Sequence, residues 1–133
     1  MPADVEVIGT EPELQGLCCE ELICEGFVAD GKLEADANVV FIRAGGFWHR
    51  LVIVVGVVFW RKQEQEPTPW VVPEKDWSYP HRNVAEEFGL SGQEIDSIRI
   101  GRQNDAVEVL VCFRNGKSFA LKNANDVSSF AVD

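Results

Sequence analysis

An α+β domain dominated by antiparallel sheet is what this sequence predicts, on three observations. Residues Leu51–Trp60 are apolar apart from Gly56 and include six valines or isoleucines, whose branching at Cβ stiffens χ1 in a helix but packs well on a pleated surface. Short apolar runs are separated by Asp30-Gly31, Gly45-Gly46 and Asn115-Gly116, dipeptides that turn a chain tightly. Helix-capping residues precede apolar positions at Thr10 and at Asn83, so two or three short helices are expected beside the sheet. At 133 residues the chain is expected to form one domain, residues 1–133.

Residues 4–9 alternate apolar and polar, the period of a short edge strand. Thr10-Glu11-Pro12-Glu13 matches a capping box, with proline tolerated in the first turn. A helix should start there, with Leu14, Leu17, Cys18 and Leu22 on one face and Gly26 ending it, although Leu22–Ala29 reads equally well as strand. Asp30-Gly31 then predicts a hairpin, and Asn38–Ala44 is the next strand, opening the central strands 38–62.

Phe47–Lys62 is too long for one ordinary strand. It predicts either a hairpin at Val55-Gly56, with Gly56 supplying the positive φ of a type II turn, or one strand bulged at Gly56. The hairpin is favoured, because it pairs Phe47–Val54 with Val57–Lys62. Trp48 and Trp60 flank this stretch and are expected in the core.

Residues 63–82 hold four of the six prolines, with Trp70, Trp77 and Tyr79, and read as a loop without a regular ladder. Asn83 should cap a helix over Val84–Phe88, ended by Gly89, and Ser91-Gly92-Gln93-Glu94 is a second capping-box match. Ile98–Ile100, Ala106–Arg114 and Ser118–Lys122 predict a three-stranded meander over 95–122. Val107, Val109, Val111 and Phe113 share one face and should meet Phe119 and Leu121. Asn125-Asp126 is expected to cap a helical turn through Phe130.

The formal charge of −10 is unevenly placed, since residues 1–36 hold ten Asp or Glu against one Lys, leaving −9 there. That balance argues against nucleic acid, whose affinity rests on Lys and Arg displacing phosphate counterions, and favours a basic partner protein. The apolar stretch is about half the length a spanning helix needs, so no membrane is expected. The N-terminus lacks the basic and apolar regions of a signal peptide, which makes the cytoplasm the expected compartment.

Cys18, Cys19, Cys24 and Cys112 make a poor disulfide framework, with two adjacent and one remote. They also lack the second pair of a zinc site, and acidic neighbours oppose a thiolate. With two histidines and no phosphate loop, dinucleotide fingerprint or nucleophile elbow, no metal, cofactor or catalytic group is expected.

The reading that follows is a non-catalytic, small acidic binding protein of the immunity or inhibitor type, neutralising a basic partner. Glu11, Glu13, Glu20, Glu21 and Glu25 would steer association, while Trp70, Trp77 and Tyr79 would supply desolvated anchors. The alternative is a small enzyme or ligand-binding domain with a pocket between the sheet and the 63–82 loop, using His49, Asp76 and His81. Homodimerisation through an exposed edge strand is a third expectation.

Overall fold

Strand alternation, more than helix periodicity, organises the chain in the computed structural model, which describes residues 5–133. Strands β1 (Val7–Gly9), β2 (Cys19–Ala29), β3 (Lys32–Ala44), β4 (Phe47–Val54), β5 (Val57–Gln63), β6 (Trp70–Val72), β7 (Trp77–Tyr79) and β8 (His81–Asn83) form one sheet. Its order is β1-β5-β4-β3-β2-β7-β6, with β8 beside β2. One helix follows, α1 (Val84–Phe88), and then β9 (Ile95–Gln103), β10 (Ala106–Phe113), β11 (Ser118–Ala124) and β12 (Val127–Val132) form a second sheet. All strand pairs are antiparallel except β1 with β5.

The inner faces of the two sheets make the core. Leu22, Cys24, Val40, Ile42, Leu51, Ile53, Val58 and Trp60 pack in one cluster with Val107, Val109, Val111, Phe113, Phe119 and Leu121. The expected pairing across the β10–β11 hairpin is present, with Val109 opposite Leu121 and Val111 opposite Phe119. Along one side the sheets are tied by Phe130 N–H donating to Asp36 Oδ1 (3.2 Å) and Asn123 Nδ2 donating to the Ile53 carbonyl (3.3 Å). Elsewhere Ile95 N–H donates to the Leu17 carbonyl and Gly92 N–H to the Cys19 carbonyl, both at 2.8 Å.

This is an all-β fold, and the predicted α+β class with two or three helices is corrected on that point. Among the described residues the helical structure is α1 and a single 3₁₀ turn at Pro73–Lys75. Residues 10–17 are irregular with a turn at Gln15-Gly16, and the chain then enters β2 instead of continuing a helix. A side-chain cap contributes only about 1 kcal/mol, whereas β2 buries Cys19, Leu22 and Cys24 and pairs along most of β3. Gly26 ends no helix; it sits at a break in the β2–β3 register, where an added Cβ would lie 3.1 Å from the Ala35 carbonyl oxygen.

Ser91–Glu94 forms a turn and opens no helix. Asn125 and Asp126 both have positive φ, 52° and 58°, and make a tight hairpin instead of a cap, so Val127–Val132 is a strand and the C-terminal meander has four strands. Residues 70–83 are not an unpaired loop. Their prolines fall at element ends, where no ladder donor is required, and Pro80 between β7 and β8 accepts the Gly26 N–H at 2.8 Å.

Other local readings match. Asn83 Oδ1 accepts the Glu86 N–H (3.1 Å) and caps α1, which Gly89 ends in the left-handed conformation. The long apolar stretch is a hairpin, although Val55 and Gly56 both take positive φ (49° and 74°), the pattern of a type I′ turn and not type II. The short edge strand is β1, while Asp4 lies outside the described residues. Trp48 and Trp60 are both buried but on opposite faces. Trp60 belongs to the main core and Trp48 to a smaller cluster with Val39 and Phe41.

Candidate functional site

The free edge beyond β2 gathers the aromatics of the proline-rich stretch. Strand β7 pairs with the end of β2 (Ala29 opposite Trp77), and β6 pairs with β7 (Trp70 opposite Tyr79), leaving β6 outermost. Because directly opposed residues share a face, Trp70 stacks on Tyr79 with centroids 3.9 Å apart and planes 10° from parallel. Tyr79 stacks in turn on Phe27 at 5.2 Å, and Trp77 meets Phe27 edge-on at 5.6 Å. The platform is held by its own contacts yet open to solvent: Trp70 is 48% exposed and Val71 63%.

Beside Trp77 lies a cleft of about 410 Å³ between the sheets, reaching from Phe27 and Ala35 to Val127 and Ser128. Exposed carboxylates flank the edge: Asp30, Glu34, Glu74 and Asp76, against Lys32 and Lys75. That leaves −2 around the aromatic surface. Asp30 and Asp76 are brought together by the Asp30 N–H donating to the Asp76 carbonyl at 3.1 Å.

The glutamates singled out in the sequence do not form one surface. Glu25 is only 6% exposed, and its carboxylate lies 2.8 Å from His81 Nε2. Glu20 and Glu21 both hold Arg43, at 3.2 and 3.4 Å. Glu11 and Glu13 are exposed but line a different cavity. Strand β2 separates the set, because alternation sends Leu22 and Cys24 into the core and Glu25 to the outer face.

The three groups named for a pocket also lie apart. Asp76 is an exposed left-handed residue ending the 3₁₀ turn. His81 faces Glu25 and sits 6.0 Å from the Phe41 ring. His49 borders a cavity of about 760 Å³ at the sandwich end, between residues 9–17, the β3–β4 turn and the end of β5. Burial, reinforced by the Lys62 ammonium, lowers the His49 pKa, while its hydrogen bond to the Ala44 backbone works the other way. Burial, with Glu20, Cys18 and Glu21 nearby, pushes the Cys19 thiol up to about 12, and burial raises Cys24 as well. Among the described residues no group of three His, Cys, Asp or Glu is placed to hold a metal ion.

Comparison with protein-family models, curated proteins and solved structures found no match. Among the described residues no helix is long and apolar enough to cross a membrane.

Sequence reasoning missed Phe27, the residue that joins Trp77 and Tyr79 into one platform. The signal was present in the Asp30-Gly31 turn, since a hairpin there makes Phe27 part of a strand end open to pairing. It also missed the grouping of Asp30 and Glu34 with Glu74 and Asp76, which are 40 or more residues apart in sequence.

Proposed function

We propose that this is a non-catalytic binding protein that captures a basic partner protein on its β6–β7 edge, in the manner of an inhibitor or immunity protein. The observation that carries the reading is exposed Trp70 on the outermost strand, stacked on half-buried Tyr79 of its neighbour. Rigid aromatics are the residues on which interfaces concentrate their energy. An exposed edge offers backbone groups for strand addition. The surrounding carboxylates favour a partner of opposite charge and speed encounter more than they add affinity.

The test compares capture from host lysate by three proteins: the wild type, Trp70→Ser with Trp77→Ser, and a neutralised form with Asp30→Asn, Glu34→Gln, Glu74→Gln and Asp76→Asn. One basic protein retained by the wild type, lost with the double tryptophan variant and released early by salt in the neutralised form is expected. Capture indifferent to both variants overturns the reading. A concentration-dependent dimer of the wild type, abolished by Val71→Lys, would reassign the edge to self-association.

A further inference from the structure

The cleft of about 410 Å³ beside Trp77 separates the end of β2 and the start of β3 from the start of β12, and its volume suits a small ligand or one large side chain. Its aromatic walls are Phe27 and Trp77, whose ring planes stand 85° apart. Val127 adds apolar surface, and Ser128 lines the cleft as a buried residue.

The charged lining of this cleft is of one sign. Glu34 and Asp126 are both exposed, and among the described residues no Lys, Arg or His lines it. Glu34 joins no ion pair among the described residues. Asp126 is held in place by the Val55 N–H, which donates to its Oδ1 at 2.9 Å. The Ser128 hydroxyl accepts from Asn123 Nδ2 at 3.1 Å, and a hydroxyl oxygen has a second lone pair to offer. A cation is drawn to the face of an aromatic ring, and to tryptophan most strongly. Trp77 already attracts one, since Lys75 Nζ stands 5.8 Å from its ring centre, although Lys75 is not part of the cleft.

We infer that this cleft receives an arginine side chain of the captured partner, with its guanidinium against Trp77 and Phe27 and its N–H groups donating to Glu34 and Asp126. A guanidinium is planar, stacks on aromatic surfaces, is more weakly hydrated than an ammonium and donates in a fork that fits a carboxylate. The groups it meets are within reach from solvent, since Trp77 is 37% exposed and both carboxylates are exposed. The inference rests on the β6–β7 edge reading for the source of the arginine.

The test titrates the protein with the capped peptide Gly-Gly-Arg-Gly-Gly and with its citrulline and lysine counterparts, reading the tryptophan indole cross-peaks in a ¹H–¹⁵N spectrum. Trp77→Phe assigns its peak among those of the four tryptophans. The arginine peptide is expected to move the Trp77 peak saturably at millimolar concentration and to bind more tightly than the other two. Glu34→Gln with Asp126→Asn, exposed changes that keep the Oδ1 acceptor for Val55, should weaken the arginine peptide about tenfold and leave the citrulline peptide unchanged. The inference is overturned if the arginine peptide binds no tighter than either counterpart, if no peptide moves the peak, or if the double variant binds it as the wild type does. Trp70 is not part of the cleft, so Trp70→Ser should abolish capture from lysate while leaving the peptide titration unchanged. Capture indifferent to Trp70→Ser, with arginine still preferred, would refute the edge reading and support the cleft as a guanidinium site.

Discussion

Val55→Asn should stabilise this protein, although it replaces an apolar residue in the most apolar stretch of the chain. Val55 occupies the first turn position of the β4–β5 hairpin with φ +49° and is 74% exposed. A left-handed conformation costs an L-residue roughly 1–2 kcal/mol, and asparagine tolerates it better because its short polar side chain bonds locally. Little burial is forfeited at this exposure. The Val55 N–H donates to Asp126 Oδ1 at 2.9 Å, a backbone contact that asparagine keeps. Asn-Gly is also the preferred pair for a type I′ turn.

The net gain is about 1 kcal/mol, which for a domain of this size raises Tm by roughly 3–5 °C. Urea unfolding should show a higher midpoint with an unchanged slope. Val55→Ala is the control, since it removes the branch but keeps an ordinary L-residue in the same conformation, and it should recover only part of the gain. If Val55→Asn is no more stable than the wild type, or if Val55→Ala matches it, relief of turn conformation is the wrong account.

Two further outcomes follow from the titrating groups. The His49 pKa is held below its ordinary 6.5, so below that pH the unfolded chain takes up a proton that the folded protein refuses. His49 therefore contributes stability that is present above about pH 6.5 and is lost on acidification toward the lowered folded value, by at most about 1.4 kcal/mol per pH unit. The stability of the wild type relative to His49→Gln, measured in urea from pH 8 down to 5, should fall with pH, and a constant difference would refute this. At pH 8 iodoacetamide should modify exposed Cys18 first and half-buried Cys112 more slowly, sparing Cys19 and Cys24 until the protein unfolds. Rapid native-state labelling of Cys19, read by peptide mass spectrometry, would contradict its burial.

What the sequence determined by itself was the set of features that need only local chemistry. Asp30-Gly31 and Gly45-Gly46 turn the chain because of the backbone angles they accept, and Asn83 with Gly89 delimits α1 because a side-chain oxygen and a left-handed residue meet the helix ends. The alternation of Val107, Val109, Val111 and Phe113 identified a core face without knowledge of its partner.

Tertiary structure decided whatever depended on remote pairing. Residues 10–29 carry both a capping box and a strand pattern, and the β3 ladder selected the strand. Asn125-Asp126 is chemically suited to a cap or a hairpin, and the β11 edge made it a hairpin. Trp70, Trp77 and Tyr79 were legible as candidate anchors from their composition alone, yet their stacking on Phe27 and their place at a free edge required β2 to offer its far end to β7. The glutamates show the converse. Adjacent charges in sequence became a buried pair with His81, a clamp on Arg43 and part of a cavity wall, because a strand sends neighbouring side chains to opposite faces and its partners determine what each one meets.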